Sequence, residues 1–195
     1  TDEQPKCYAP IGRRRILDWL LEALQEAELP VPVFIGGYRI EQIRADYPQL
    51  YFRHNADWPN NNILASLFYA ESDMDAGFVC SYSDILYRSS VVQRALAHPG
   101  DIVLCVDTEW RARYIDRSQH PEDDAEKVIA DGDRIVRIER SIGSEQASGE
   151  YIGVARFNDR GARALRDYYH RARAAFAGSI WRDGTSFEKA YLIHL

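Results

Sequence analysis

The chain has 195 residues, of which 46% are hydrophobic, and 24 Lys and Arg against 30 Asp and Glu give it a formal net charge of −6. This length and composition are those of one well-packed globular domain, and the acidic balance disfavours a general grip on nucleic acid while permitting a local basic pocket for phosphates. No apolar run approaches the roughly 18 residues of a membrane span and no leader-like segment opens the printed sequence, so we expect a cytoplasmic protein without a membrane partner.

Strand and helix signals alternate along the chain, which predicts an α/β fold. The first helix is predicted from one apolar stripe, formed by Ile16, Leu17, Leu20, Leu21 and Leu24. The next predicted elements are a strand at 33–35, a helix at 40–46, a strand at about 50–53, a helix at 63–71, a strand at 77–83, a helix at 90–97 and a strand at 102–106.

The second half of the chain continues this pattern. A hairpin is predicted over 127–138, with its turn at Asp131-Gly132. A strand at 151–157 follows, and two helices at 160–176 and 186–194 close the chain.

Cysteines and histidines give little support to a disulfide or zinc site. Cys7, Cys80 and Cys105 are odd in number and far apart, and the last two lie in apolar runs, so we expect buried thiols. The five histidines show no close pairing at metal-ligand spacing, which disfavours zinc chemistry and a histidine-activated nucleophile.

The segment Pro5-Lys6-Cys7-Tyr8-Ala9-Pro10-Ile11-Gly12 runs straight into the first helix. It resembles the end of the nucleotidyltransferase signature found in nucleotide-sugar pyrophosphorylases and phosphocholine cytidylyltransferases. There, a strand and a Gly-rich loop that cradles the triphosphate come before Pro-Lys and a helix. The resemblance implies that Lys6 meets phosphate charge, although a lone lysine is more often a solvated surface group.

The same resemblance implies an architecture. We expect residues 1–195 to form a single Rossmann-like (GT-A-like) three-layer domain with a mixed, mostly parallel sheet. We also expect the Gly-rich loop to precede Thr1, and the end of the domain to follow Leu195, because the last predicted helix has no C-terminal cap.

The stretch from Cys80 to Tyr87 is similar to the family's metal-binding strand, in which an apolar strand ends in Gly-Asp or Asp-x-Asp. The resemblance implies that Asp84 holds Mg²⁺ against the phosphates of a nucleotide, at the carboxyl end of a strand. Ser83 stands where many relatives carry Gly, and Ser81 where some carry a second Asp. The alternative for Asp84 is a solvated turn residue.

Two further segments are candidates for nucleotide binding. Trp58-Pro59-Asn60-Asn61-Asn62 with Ser66-Leu67 looks like the family's Asn-Asn…Ser-Leu element, which implies that Asn61, Asn62 and Ser66 lie near the nucleotide. An N-cap followed by an amphipathic helix is the alternative. Gly36-Gly37-Tyr38 resembles the family's glycine-tyrosine turn, but such a turn ends many strands.

Residues 138–142 and 147–153 resemble the family's Gly-Lys-x-Ile and Gly-Glu-x-x-Gly segments. Arg140 stands where relatives often carry Lys, and an arginine there could hold the phosphate of the acceptor bidentately. Glu150 could pair with the acceptor's polar or cationic end. Taken singly, either residue is more often a surface ion-pair partner.

Trp110 and Trp181 bear on the identity of the acceptor. The run Val106-Asp107-Thr108-Glu109-Trp110 looks like the Glu-Trp segment of phosphocholine cytidylyltransferases, in which aromatic rings surround a quaternary ammonium. Core tryptophans are nevertheless commoner than cation cages. Asp107 and Asp183 are further carboxylates for which a solvated turn position is favoured.

The resemblance as a whole implies a Mg²⁺-dependent nucleotidyltransferase that moves a cytidylyl group from CTP to a small phosphorylated acceptor and releases pyrophosphate. The acceptors in order of preference are phosphocholine-like molecules, aminophosphonates and sugar phosphates, and a homo-oligomer is possible. The alternatives are a nucleotide-sugar-dependent glycosyltransferase, for which the usual Asp-x-Asp pair is missing, and a non-catalytic ligand-binding domain of the same fold.

Overall fold

A computed structural model of the chain describes residues 4–115, 121–182 and 184–195. Its helices are α1 (Ile16–Glu26), α2 (Ile40–Asp46), α3 (Ile63–Leu67), α4 (Ser89–Ala97) and α5 (Asp159–Phe176). Helix α1 buries Leu17, Leu20 and Leu24, as its apolar stripe predicts. Helix α3 is shorter than predicted, because Ala70 leaves the helical region and a 3₁₀ turn (Phe68–Asp73) continues the chain.

The strands are short except for one long strand near the end of the chain. They are β1 (Pro10–Ile11), β2 (Arg14–Arg15), β3 (Val33–Gly36), β4 (Tyr51–His54), β5 (Phe78–Ser81), β6 (Ile102–Asp107), β7 (Lys127–Asp131), β8 (Arg134–Glu139), β9 (Gly149–Phe157), β10 (Ile180–Arg182) and β11 (Thr185–Ser186). The long strand β9 is the centre of a five-stranded sheet: it pairs with β5, β6 and β7, and β7 pairs with β8.

The direction of pairing corrects one part of the expected architecture. Over the described residues the sheet content is mixed, but the only parallel ladder joins β3 to β4, whereas the expected sheet was mostly parallel. β9 lies between β5 and β6 and runs antiparallel to both, so these two strands are parallel to each other without touching. The tight turn at Gly132-Asp133 joins β7 to β8, and so short a connection permits only an antiparallel pair.

Alternate residues of β9 enter two separate hydrophobic cores. Tyr151, Ala155 and Phe157 pack with residues of α5, whereas Ile152 and Val154 pack with residues of α1 and α4. Because successive side chains of a strand point to opposite faces of the sheet, helices cover both faces. This arrangement gives the three layers that the sequence predicts.

The predicted helix at 186–194 is wrong. Two 3₁₀ turns (Phe187–Lys189 and Leu192–His194) are separated by Ala190 and Tyr191, whose backbones are extended. The carbonyl of Ala190 accepts a hydrogen bond from the amide of Leu64 at 3.2 Å. This contact holds the segment against the start of α3, and a continuous helix would not present that carbonyl outward.

The three thiols are free, with Cys7 buried and Cys80 and Cys105 partly buried, and burial raises the pKa of each. The expectation of buried, unpaired thiols therefore holds most fully for Cys7. A search of the described helices finds none that is both long and apolar enough to cross a bilayer.

Candidate functional site

A cleft of about 2290 Å³ opens at the ends of β5 and β6 and extends to the β7–β8 hairpin. This volume exceeds the roughly 300–1,000 Å³ of a pocket for one small molecule. The cleft lining includes Asp84, Arg140 and Glu150, three of the residues that the sequence singles out.

Asp84 lies in the turn that follows β5, and its side chain is exposed to the cleft. No other described residue makes a hydrogen bond or ion pair with its carboxylate. The position at the carboxyl end of a strand is the one that the sequence predicts. A free carboxylate at that position is a suitable donor for Mg²⁺, which is bound through one or two carboxylates together with substrate phosphates.

The segment that contains Lys6 adjoins the Asp84 turn. Cys7 is buried, with Ser83 and Asp84 near its thiol, and burial, with a smaller contribution from the Asp84 carboxylate, raises the thiol pKa to about 11. The side chain of Lys6 itself is exposed. The structure thus brings the Pro-Lys segment to the Asp84 turn through Cys7 and Ser83, without placing Lys6 in the cleft lining.

Arg140 follows β8 and lies across the cleft in contact with three groups. Its guanidinium stacks on Tyr191, with Cζ 4.1 Å from the ring centroid, and its Nη2 lies 4.0 Å from Oε1 of Glu126. The buried ammonium of Lys127 donates to the carbonyl of Arg140 at 2.8 Å. The backbone and the side chain of Arg140 are therefore both held, which suits a residue that positions an anion.

Glu126 is a buried acid, 6% exposed, at the entrance to β7. The hydroxyl of Tyr82 donates to its Oε2 at 3.3 Å. Burial raises the pKa of Glu126 to about 7, against the lowering effect of Arg140 and Tyr82, and Glu150 raises it further. Perturbed acids of this kind are concentrated at functional sites, although structural ion pairs also produce them.

Glu150 lies in β9, directly opposite Asp107 of β6 on one side and Lys127 of β7 on the other. The hydroxyl of Tyr114 donates to Oε1 of Glu150 at 2.6 Å. Asp107 is itself engaged by the Arg113 guanidinium and by the amide of Glu109. The end of the cleft near β6 therefore combines carboxylates with a tyrosine and an arginine.

The two tryptophans do not line the cleft. Trp110 is 2% exposed, and the edge of Tyr114 packs against it with ring centroids 5.6 Å apart. Trp181 packs in a cluster with Phe176, Phe187 and His194. Substrate contact by either ring stays a prediction. In the described residues Tyr114 packs on Trp110, and Tyr114 is the aromatic residue that reaches Glu150. Asp183 lies outside the described residues.

The residues assigned to the nucleotide have structural partners instead of facing the cleft. Asn62 caps α3, with its side chain accepting from the amide of Ile63 at 2.9 Å, which is the alternative that the sequence leaves open. Asn61 forms a reciprocal amide pair with Asn55 at 2.8 and 2.9 Å. Ser66 belongs to α3 and donates its amide to the Asn62 carbonyl, whereas Ile63 does line the cleft.

Gly36 and Gly37 form the end of β3 and the turn after it. A Cβ on Gly37 would lie 2.5 Å from the carbonyl oxygen of Asn55 and would overlap the Trp58 ring. The glycine is therefore required for the packing of that turn. These two positions, like Asn61, are absent from the described cleft lining.

Sequence reasoning missed Glu126, Tyr82, Tyr114 and Tyr191. A signal existed for the first of these, because Glu126-Lys127 places two charges directly before an apolar strand. Two adjacent charged residues that enter a buried strand must find partners. No comparable local signal marks the three tyrosines.

Comparison with known proteins finds a similar cytidylyltransferase. The chain is 24% identical over 203 aligned positions to the CTP:phosphoglutamine cytidylyltransferase of Campylobacter jejuni, in a match that covers 98% of this chain and 78% of that protein. This chain is thus similar to a cytidylyltransferase over nearly its whole length. No family model matches it.

Solved structures share the fold of this chain. The inositol-1-phosphate CTP transferase of T. maritima superposes with a TM-score of 0.69 at 20% identity, covering all of this chain and 71% of that one. The CTP:phosphocholine cytidylyltransferase of Streptococcus pneumoniae superposes with a TM-score of 0.63 at 14% identity, covering 98% of this chain and 74% of that one. These similarities confirm the Rossmann-like architecture.

Proposed function

We infer that this protein is a cytidylyltransferase, which transfers a cytidylyl group from CTP to a small phosphorylated acceptor and releases pyrophosphate. The observation that carries the inference is the convergence of Asp84, Arg140 and Glu150 on one cleft at the ends of β5 and β6. The sequence relative and the two CTP-dependent structural neighbours support the same reaction.

The reaction requires an oxygen of the acceptor phosphate to attack the α-phosphorus of CTP in line, while the bond from that phosphorus to the bridging oxygen breaks and pyrophosphate leaves. Such a transfer depends on positioning and charge neutralisation more than on covalent help. Arg140 would hold the acceptor phosphate, because its guanidinium is already fixed by Tyr191 and Glu126. Glu150 and Tyr114, which are hydrogen-bonded to each other, would form the wall of the cleft at the end near β6.

Asp84 would hold a Mg²⁺ ion, for which its exposed carboxylate is a suitable donor. When bound, this ion neutralises charge on the triphosphate. Lys6 would approach the same phosphates from the segment next to the Asp84 turn. Neither residue is paired with another described side chain, so neither has to break an ion pair in order to bind a ligand.

The test is pyrophosphate release by the full-length protein with each of the four common nucleoside triphosphates. The acceptors are phosphoglutamine, inositol 1-phosphate, phosphocholine, aminoethylphosphonate and glucose 1-phosphate. We expect release with CTP and at least one acceptor, and a cytidylylated product detected by mass spectrometry. Absence of pyrophosphate with every combination would overturn the assignment, and the ligand-binding alternative would then be tested by measuring CTP binding alone.

A further inference from the structure

Two buried polar atoms in the cleft wall have no hydrogen-bond partner in the described structure. They are the hydroxyl of Tyr151 and Nε of Arg140. Tyr151 is 3% exposed, and its ring packs edge-on against Tyr82 with centroids 6.2 Å apart. Buried polar atoms in native proteins are nearly always satisfied, so each exception requires an explanation.

The two atoms belong to one polar group of side chains. Tyr151, Tyr82, Glu126 and Arg140 all line the cleft. Tyr82 donates to Glu126 at 3.3 Å, and Arg140 lies 4.0 Å from the same carboxylate. Burial raises the pKa of Tyr151, and the smaller contributions that raise it further include those of Tyr82 and Glu126. Together the four residues form what we call the Glu126 subsite.

The Glu126 subsite contains both hydrogen-bond donors and a hydrogen-bond acceptor. The Tyr151 hydroxyl can donate, and so can Arg140 Nε if the two Nη atoms of that guanidinium hold the acceptor phosphate; the Glu126 carboxylate can accept. An acceptor molecule whose far end has both a donor and an acceptor, such as a carboxamide or a hydroxyl group, would satisfy all three. A quaternary ammonium has neither, and its binding would leave the two buried donors unpaired.

We propose that the Glu126 subsite recognises the non-phosphate end of the acceptor, and that it selects a neutral group able both to donate and to accept hydrogen bonds over a quaternary ammonium. This proposal rests on the proposed cytidylyl transfer. It reverses the order of acceptors expected from the sequence. That order depended on Trp110 with Glu150, and Trp110 is 2% exposed and absent from the described cleft lining. Carboxamide and hydroxyl acceptors share the required chemistry, and the experiment separates them.

The experiment measures kcat/KM for phosphoglutamine, inositol 1-phosphate and phosphocholine at saturating CTP in the full-length protein and its Tyr151→Phe variant. The variant keeps the buried ring and loses only the hydroxyl. We expect at least one hydrogen-bonding acceptor to exceed phosphocholine in the unmodified protein. We expect Tyr151→Phe to lower kcat/KM for that acceptor by roughly 5- to 30-fold, chiefly through KM, and to leave the value for phosphocholine within about 2-fold.

Tyr169→Phe is the matched control, because Tyr169 is a buried tyrosine of α5 that does not line the cleft. This variant should leave all three kcat/KM values unchanged. A larger effect for phosphoglutamine would identify a carboxamide ligand, and a larger effect for inositol 1-phosphate a hydroxyl ligand. An equal loss for all three acceptors in Tyr151→Phe, or no loss for any, would overturn the subsite.

The same measurements distinguish a wrong acceptor subsite from a wrong reaction. If phosphocholine is used best and Tyr151→Phe is neutral, the protein is a cytidylyltransferase whose acceptor lies elsewhere in the cleft. If no acceptor gives pyrophosphate, the reaction itself is wrongly assigned.

Discussion

Glu126 lies in the wall of the cleft, and its burial also affects the stability of the folded protein. Its carboxyl is buried beside Arg140 and the Tyr82 hydroxyl, with Glu150 as a further acid nearby, and its pKa is raised to about 7 from an ordinary value of 4.5. Desolvation, the largest cause, disfavours the charged form, and the single arginine at 4.0 Å does not compensate fully. The folded protein therefore holds a proton on Glu126 at pH values where the unfolded chain has released it.

This raised pKa predicts a pH-dependent stability. Between pH 4.5 and about 7 the native state binds more protons than the unfolded state, so the free energy of unfolding falls as pH rises, and it levels above about 7. Glu126→Gln mimics the protonated carboxyl and removes this dependence. We expect the variant to gain about 1 to 3 kcal/mol over the unmodified protein on going from pH 5 to pH 8.

Urea unfolding at both pH values measures the effect. Glu145→Gln is a suitable control, because Glu145 is an exposed partner of Arg111 whose pKa is lowered by that arginine. Its replacement should not produce a gain in stability at pH 8. A difference between Glu126→Gln and the unmodified protein that is the same at pH 5 and pH 8 would contradict a raised pKa at Glu126.

Asp84 leads to a prediction about catalysis. Its exposed carboxylate contributes no described hydrogen bond or ion pair, so Asp84→Ala should leave the melting temperature almost unchanged. If the carboxylate holds Mg²⁺, its loss should lower kcat by roughly 100-fold or more, since metal stabilisation of phosphate charge amounts to several kcal/mol. Pyrophosphate release measured against Mg²⁺ concentration tests this.

Asp73→Ala is the control for that experiment, because Asp73 pairs with Arg53 at 2.8 Å and does not line the cleft. It should retain normal turnover at every Mg²⁺ concentration. Near-normal activity of Asp84→Ala at low Mg²⁺ would remove Asp84 from the metal site, and a large fall in its melting temperature would indicate a structural role.

At the scale of the element, β9 supports the site through one glycine. Gly153 has a φ of +79°, and its carbonyl accepts a hydrogen bond from the amide of Tyr82 at 2.9 Å. A Cβ at this position would lie within 2.6 and 2.8 Å of ring atoms of Tyr82. The glycine thus allows the Tyr82 ring to lie against the strand, from where its hydroxyl reaches Glu126.

Gly153→Ala should therefore cost more than a change of backbone preference alone. We expect a loss of about 2 to 4 kcal/mol, because an unfavourable φ and an overpacked ring act together. Gly132→Ala is a matched control: its φ is +58° and a Cβ there meets no atom within 4 Å. It should cost about 1 to 2 kcal/mol. Equal losses in urea unfolding would show that the Tyr82 contact is unimportant.

Elements with a local signal could be predicted from the sequence. Helices α1, α2, α4 and α5 and strand β9 lie within about two residues of their predicted positions, because apolar periodicity and flanking prolines act over a few residues. The segment after Ser186 could not be predicted in this way. Its conformation depends on the hydrogen bond from Leu64 to Ala190, which joins residues far apart in the chain.

The residues of the candidate site also divide into those with a local sequence signal and those that depend on long-range contacts. Asp84, Arg140 and Glu150 could be found because each lies in a motif of contiguous residues. The Glu126 subsite could not, because the Tyr82–Glu126 hydrogen bond spans 44 positions and tertiary packing alone determines the burial of Glu126. For Trp110, a short motif predicts a role for the ring but does not predict that the neighbouring Tyr114 packs against it.

At the scale of the whole molecule, the described sheets differ in how many strands and hydrophobic contacts stabilise them. Strand β9 is hydrogen-bonded on both sides and contributes to both hydrophobic cores. In the described residues, β3 pairs only with β4, in a parallel ladder of four residue pairs. An isolated pair of strands is marginally stable in water, and it depends on the helices packed against it.

This difference predicts two levels of protection in native-state hydrogen exchange. Opening free energies range from near zero at weakly supported elements to the global value in the core. We expect amides of β9 to exchange only through global unfolding. We expect amides of β3 and β4 to exchange at least roughly 10-fold faster, through a partial opening that leaves the five-stranded sheet intact.

The measurement is amide exchange followed by mass spectrometry of peptides covering 33–36, 51–54 and 149–157, repeated at several low urea concentrations. Because global unfolding exposes more surface, exchange of the β9 peptide should depend more steeply on urea than exchange of the other two. Equal rates and equal urea dependence in all three peptides would show instead that the two sheets unfold as one cooperative unit.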